Sequence, residues 1–225
     1  MPRLHPLSLR ALLAALALAA AAAAAQVAPS LSLAEQMRSM IGKPPAAGTA
    51  APAPAGGAAP LIASGPPQLR QSATELAQRF PAANRAAMAK AFEESFAFWQ
   101  KLETQLGLTP NDVGAATAAF IAGNYSAFMQ QPVADDDFKA LVVQMQGLLA
   151  RSPAFMQSSP AARRAMFEQL AMVGAFMVVY REHLTAKPNP AEEANFRNTA
   201  KANLEAGLGL AVERIQIGRQ GLVAR

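Results

Sequence analysis

Few side chains in this sequence could act as nucleophiles or general bases. The chain has no cysteine, and of its two histidines only His183 lies beyond residues 1–25. A Ser-His-Asp arrangement would therefore depend on His183. This histidine follows a long apolar stretch, and a cation in the last turn of a helix interacts favourably with the helix dipole. We therefore predict a structural, helix-capping role for His183 and no catalytic residue.

The sequence is equally poor in ligands for metals and cofactors. Zinc and copper sites use cysteine and histidine, and a di-iron bundle needs Glu-x-x-His pairs, which are absent. The run Asp135-Asp136-Asp137 lacks the alternating ligands and the glycine of a calcium loop, and it is typical of the acidic start of a helix. Most methionines fall at core-like positions, where they fill gaps rather than bind copper. Since no glycine-rich phosphate loop follows a predicted strand either, we predict no metal and no cofactor.

Adjacent carboxylates could in principle serve glycoside hydrolysis. Glu93-Glu94 and Glu192-Glu193 are such pairs, but neighbours on an α-helix point about 100° apart and do not face one site. Carboxylates from different helices could still meet. The sequence contains no recognisable catalytic constellation, and we predict that the protein is not an enzyme.

The elements that would position these side chains follow an export signal. Residues 1–10 carry Arg3 and Arg10, residues 11–25 are an uninterrupted run of leucine and alanine, and small residues precede Gln26. This is the layout of a secretory signal peptide, and the Ala-rich run is short for a bilayer span. A retained anchor is the alternative. We predict that residues 1–25 are cleaved off near Ala25, which leaves a periplasmic or secreted chain without a transmembrane anchor.

Residues 26–42 contain one short amphipathic helix. Ser32 and Glu35 form a capping box, and Gly42 is a natural stop. An isolated helix of this length is marginal in water, so its apolar stripe needs a surface. That surface could be a partner protein's groove, this chain's own domain or a membrane interface. The stripe recurs at i, i+4, i+7 and i+8, and it is our candidate for partner binding: Leu33, Met37, Met40 and Ile41.

Residues 43–67 separate this helix from the rest of the chain. The segment contains seven prolines and four glycines and almost no large side chain. It cannot bury enough apolar surface to offset its ordering entropy, so we predict a disordered Pro/Ala/Gly linker. We assign residues 68–225 to one helical domain.

The domain at residues 68–225 has the apolar periodicity of helices throughout. Thr109-Pro110, Ser159-Pro160 and Asn189-Pro190 have the pattern of an N-cap followed by proline at the first helical position. Residues 169–180 carry no charge, which is typical of a helix at the centre of a bundle. We therefore predict an all-α fold, a compact bundle of about five to six helices around one central apolar helix. The C-terminal residues are expected to form a short β-hairpin or a frayed apolar tail.

From Ala73 onward the chain resembles a bacterial family of exported, all-helical domains with no assigned function. The resemblance lies in four stretches: "AMAKAFEESFAFWQKL", "LGLTPNDVGAATAAFIAGN", "LLARSPAF" before the long apolar helix, and "LGLAVERI" near the end. It covers about two thirds of the chain. It implies export and a helical fold, and it implies no catalytic or binding residue.

The charge of the chain argues against nucleic acid as a partner. The formal net charge is +5, and loss of Arg3 and Arg10 with the signal peptide leaves +3. The remaining basic residues are scattered among acids, whereas phosphate-backbone binding needs a clustered basic face. No feature of the sequence indicates an oligomeric state.

Two functions fit these patterns. The first is an exported, non-enzymatic interaction module whose tethered N-terminal helix binds an envelope protein. The second is a carrier of an apolar small molecule or lipid, held in a bundle core lined by phenylalanine and methionine. The residues that could line such a cavity are Phe92, Phe96, Trp99, Phe120, Phe167, Phe176 and Met177.

Overall fold

The computed structural model describes residues 34, 35, 37–39 and 59–224. The predicted signal peptide and most of the predicted linker lie outside these residues. The helices are α1 (Leu69–Ala77), α2 (Arg85–Gln105), α3 (Val113–Met129), α4 (Asp135–Ala150), α5 (Pro153–Met156), α6 (Pro160–Ala186) and α7 (Pro190–Leu208). Two strands follow, β1 (Ile215–Gly218) and β2 (Gly221–Ala224). Residues 34, 35 and 37–39 are also helical, so the prediction of a mostly helical fold with a C-terminal hairpin is confirmed.

Two of the three predicted helix starts are capped as the sequence indicates. The Ser159 hydroxyl accepts a hydrogen bond from the Ala162 amide at 3.2 Å, with proline in the first turn of α6. The Asn189 side chain accepts from the Glu192 amide at 3.4 Å at the start of α7. Both caps depend only on residues within one turn, and this is why the local sequence was sufficient to predict them.

The predicted start of α3 at Thr109-Pro110 is wrong. The helix begins at Val113, and the Asp112 carboxylate caps it by accepting from the Gly114 amide at 3.0 Å. Asn111 before it takes a left-handed conformation with φ of 63°. Asparagine tolerates this conformation, so the chain turns at Asn111 before the helix can start. The Thr109-Pro110 pattern is typical of a helix start, but the helix begins three residues after Pro110, at the residue that follows Asp112.

Two helices, rather than one, occupy the centre of the domain. Residues 169–180 lie in α6 and are mostly buried, as predicted. Helix α3 is also central, because 14 of its 17 residues are buried. Eight of its 17 residues are alanine or glycine, and small or apolar residues lie all around it, so it can be surrounded on all sides. Among the described residues, no helix has the length and apolar character needed to cross a bilayer.

Helices α3 and α6 cross with their backbones in contact. A Cβ atom on Gly123 would lie 2.3 Å from the carbonyl oxygen of Gly174, and a Cβ on Gly174 would lie 2.4 Å from the carbonyl carbon of Ala119. Neither distance is compatible with a side chain. Glycine at these two positions therefore sets how closely the two central helices approach each other.

The end of the predicted linker packs on the domain. Ala63 is almost completely buried, and its amide donates to the Asn111 carbonyl at 2.9 Å. The Leu61 amide donates to the Asp112 carboxylate at 2.9 Å, and the Leu61 carbonyl accepts from the Val113 amide at 2.9 Å. Backbone hydrogen bonds compensate here for the scarcity of large side chains. The packed region thus begins before the boundary at residue 68, and residues 43–58 lie outside the described residues.

The C-terminal hairpin is held against α4. Strands β1 and β2 pair antiparallel, with Ile217 opposite Leu222. The Gln144 side chain on α4 accepts from the Leu222 amide at 2.7 Å and donates to the Leu222 carbonyl at 2.8 Å. One amide side chain therefore pairs with both backbone groups of Leu222, as a neighbouring strand would do.

Candidate functional site

Met37 is the described member of the predicted partner-binding stripe, and it packs on this chain's own domain. Its side chain is fully buried, as is Ala34 one turn earlier. The Met37 Cε atom lies 2.5 Å from the position that a Cβ on Gly207 would occupy, so the absence of a side chain at Gly207 makes room for it. The Arg38 guanidinium lies beside Gly209 in the same way. Leu33, Met40 and Ile41 lie outside the described residues.

His183 packs against an aromatic ring at the end of α6, and its structural role stays a prediction. It lies in the last turn of α6, is 6% exposed, and stacks on the Tyr180 ring with centroids 5.9 Å apart. Burial and the nearby charge of Lys187 lower the pKa of His183, although Glu192 opposes this shift. The imidazole therefore favours its neutral form, and ring stacking rather than a cation–dipole interaction explains the residue.

A half-open pocket of about 170 Å³ lies between α2, α3, α4 and α6. One wall is made of small residues, because the close crossing of α3 and α6 excludes large side chains there. The residues of this wall are Ala119, Ala122, Gly123, Gly174 and Ala175.

Large apolar side chains also line the pocket. Trp99 is fully buried and packs edge-on against Phe138, with ring centroids 6.5 Å apart. Trp99 is the only tryptophan of the chain, so its fluorescence reports on this site alone. The other large apolar residues that line it are Leu102, Leu106, Pro132, Val133 and Val178.

Four polar residues also line the pocket: Ser126, Asp135, Arg181 and Glu182. Among the described residues, neither the buried Ser126 hydroxyl nor the buried Nε of Arg181 has a hydrogen-bond partner. Arg181 faces Glu182 at 4.0 Å between Nη2 and Oε1. Partial burial raises the pKa of Glu182, and Arg181 opposes that shift. The pocket thus combines apolar walls with donors that lack acceptors.

The pocket uses few of the residues that we predicted for a cavity lined by phenylalanine and methionine, and that cavity stays a prediction. Of the seven residues proposed for it, the pocket wall includes Trp99 and none of the other six. The rings of Phe96 and Phe167 pack edge-to-face at 5.8 Å, and those of Phe92 and Phe176 lie 5.4 Å apart. These side chains fill space rather than enclose it. The signal that could have located the pocket is the clustering of alanine and glycine on α3 and α6.

A second polar cluster supports the α2–α3 turn behind the pocket. Glu103 is 5% exposed, and its Oε1 accepts from the Asn111 amide at 3.2 Å. Burial raises the pKa of Glu103 to about 7, and the charge of Asp112 adds to this, while the Asn111 amide and the Trp99 indole favour the ionised form. Asp112 itself accepts hydrogen bonds from Leu61, Gly114 and Gln146. These contacts fix the turn, and we assign the cluster a structural role.

Within residues 34, 35, 37–39 and 59–224, no group of three or more histidine and acidic side chains could hold a metal ion. Comparison with curated proteins and with solved structures gave no match. A family of unknown function, DUF6683, matches residues 6–225, which is nearly the whole sequence. The chain therefore belongs to the family DUF6683.

Proposed function

We propose that this protein is an exported, non-enzymatic binding protein that holds a small, mainly apolar molecule in the pocket between α2, α3, α4 and α6. The observation that supports this most is the pocket itself, which is lined by small residues and by Trp99 and Phe138. Ligand sites in proteins are typically concave and mostly apolar, with a few polar groups that orient the ligand. This pocket has the same composition.

The volume of the pocket limits the size of the ligand. An engineered apolar cavity of about 150 Å³ accepts benzene, which has six heavy atoms. The pocket described here measures about 170 Å³ and is half-open. A ligand of about six to eight heavy atoms would fill it on this scale. A long-chain lipid would not be accommodated.

Binding of a partner through the N-terminal helix is the second candidate. Leu33, Met37, Met40 and Ile41 remain the predicted contact residues. The burial of Met37 against Gly207 argues that this stripe first serves the chain's own domain, so an external partner would have to displace it. Export is supported by the signal-peptide pattern of residues 1–25. A periplasmic or secreted location is part of the proposal.

The experiment is a binding titration on the mature chain with toluene, followed by Trp99 fluorescence and isothermal calorimetry. Val178→Phe places a ring at the rim of the pocket and should abolish binding of toluene. Val143→Phe makes the same change at another half-buried helical position that is not on the pocket wall, and it should bind toluene as the natural chain does. Failure of the natural chain to bind, or equal binding by Val178→Phe, would refute the proposal.

A further inference from the structure

We infer that the ligand of this pocket is a small amphipathic monocarboxylate, with its hydrocarbon part between the apolar walls and its carboxylate on Arg181. The inference depends on the proposed binding function and specifies its ligand class. It rests on the unmatched hydrogen-bond donors of the pocket.

Arg181 is the main such donor. The side chain is 12% exposed, and it forms an ion pair with Glu182 at 4.0 Å, the outer limit for such a pair. Glu182 is 44% exposed, so water weakens this attraction. A guanidinium has five N–H donors, and leaving them without acceptors in a buried position costs free energy. The buried Nε has no partner among the described residues. A ligand carboxylate would supply the missing acceptors.

Ser126 offers a second donor to the same ligand. It lies on α3 and is 3% exposed, and no hydrogen bond to its hydroxyl is found within the described part of the chain. Arg181 lies on α6, and both residues line one pocket. A buried hydroxyl without a partner is uncommon in folded proteins. A carboxylate has two oxygens, and it could accept from both residues.

Two acidic residues on the pocket wall oppose an anionic ligand. Asp135 is exposed and lies in the first turn of α4, where the helix dipole partly compensates its charge. Glu182 is also exposed. Charges in contact with water are screened. Arg181 is largely buried, so its charge is screened less. The electrostatic potential of these three side chains at the position of the ligand therefore favours an anion over a cation.

The test compares three ligands of the same chain length: hexanoate, neutral hexanamide and hexylammonium. In calorimetric titration of the natural chain, the dissociation constant of hexanoate should be about tenfold lower than that of hexanamide, or lower still. A charge-assisted hydrogen bond in a partly buried site is expected to give a difference of this size. Hexylammonium should bind the weakest. Equal binding of hexanoate and hexanamide, or a preference for hexylammonium, would overturn the inference.

Variants then assign the preference to Arg181. Arg181→Met should remove the advantage of hexanoate and leave hexanamide binding unchanged. Arg70→Met removes the same charge from an exposed position on α1 that is not on the pocket wall, and it should preserve the preference. Hexanoate binding that is unaffected by Arg181→Met would contradict the inference.

Glu182→Gln provides a test in the opposite direction if Arg181→Met does not fold. Removal of the competing carboxylate should tighten hexanoate binding by a few fold and leave hexanamide unchanged. No change would again count against the assignment.

Toluene binding separates the proposed function from the proposed ligand class. If toluene binds and hexanoate shows no advantage, only the ligand class is refuted, and if nothing binds, the proposed function is refuted as well.

Discussion

Replacement of Glu103 by glutamine should stabilise the protein above neutral pH and not below pH 5. Glu103 is 5% exposed, and burial raises its pKa from 4.5 to about 7. Between these two values the folded chain binds more protons at this carboxyl group than the unfolded chain does. Stability from this group is therefore fully present below about pH 4.5 and is lost as the pH rises through about 7.

The size of the effect follows from the difference between the two pKa values. Each pKa unit corresponds to about 1.4 kcal/mol, which sets an upper bound of about 3 kcal/mol. Glutamine is neutral at every pH and keeps an oxygen that can accept from the Asn111 amide. We therefore expect the free energy of unfolding of Glu103→Gln to exceed that of the natural chain by about 1–3 kcal/mol at pH 8. At pH 4 the two values should be nearly equal.

The measurement is urea unfolding followed by far-UV circular dichroism at several values between pH 4 and pH 8.5. The comparison at low pH serves as the internal control, because both side chains are then neutral. A stability difference that stays constant across this range would refute the reasoning. A variant that is less stable at pH 8 would show that the carboxylate's hydrogen bonds outweigh its burial.

Two further substitutions probe other contacts by thermal and urea unfolding. Met37→Ala removes a fully buried side chain and should cost about 1–3 kcal/mol, below the upper range for core methionines because the N-terminal segment can detach without unfolding the domain. An unchanged melting temperature would show that this segment does not contribute to stability. Gly174→Ala places a Cβ 2.4 Å from the Ala119 backbone and should cost about 3 kcal/mol or prevent folding. Its control, Gly107→Ala, has no neighbour within 4 Å and a φ of 68°, so about 1–2 kcal/mol is expected, and equal costs would contradict our account of the crossing.

The helices were predictable wherever their signals are local. The caps at Ser159 and Asn189 lie within one turn of the amides that they bind, so the sequence was sufficient to identify them. The cap at Asp112 is local too, but Thr109-Pro110 has the more typical pattern of a helix start and indicated the wrong residue. The contacts of Asp112 with Leu61 and Gln146 join distant parts of the sequence and could not be predicted. The central position of α3 was missed for another reason. Small and apolar residues lie all around this helix and mark no single apolar stripe, so only its neighbours show that it is enclosed.

The pocket could not be predicted from side-chain types alone. Phenylalanine and methionine in a sequence indicate apolar volume, but they do not tell whether that volume is filled. Phe96 and Phe167 fill theirs by packing against each other. The pocket lies beside the crossing of Gly123 and Gly174, and that arrangement is a property of the assembled helices.

The glycine crossing also restricts how the ligand range of this site could be altered. Gly123 and Gly174 cannot gain a side chain without forcing α3 and α6 apart, so one side of the pocket is fixed by the architecture. Changes in preferred chain length must therefore come from other lining residues, such as Leu102 on α2 and Val178 on α6, which can be exchanged for smaller or larger residues. Engineered variants, and natural variants within the family, would therefore alter the ligand range through these exchangeable residues and not through the two glycines.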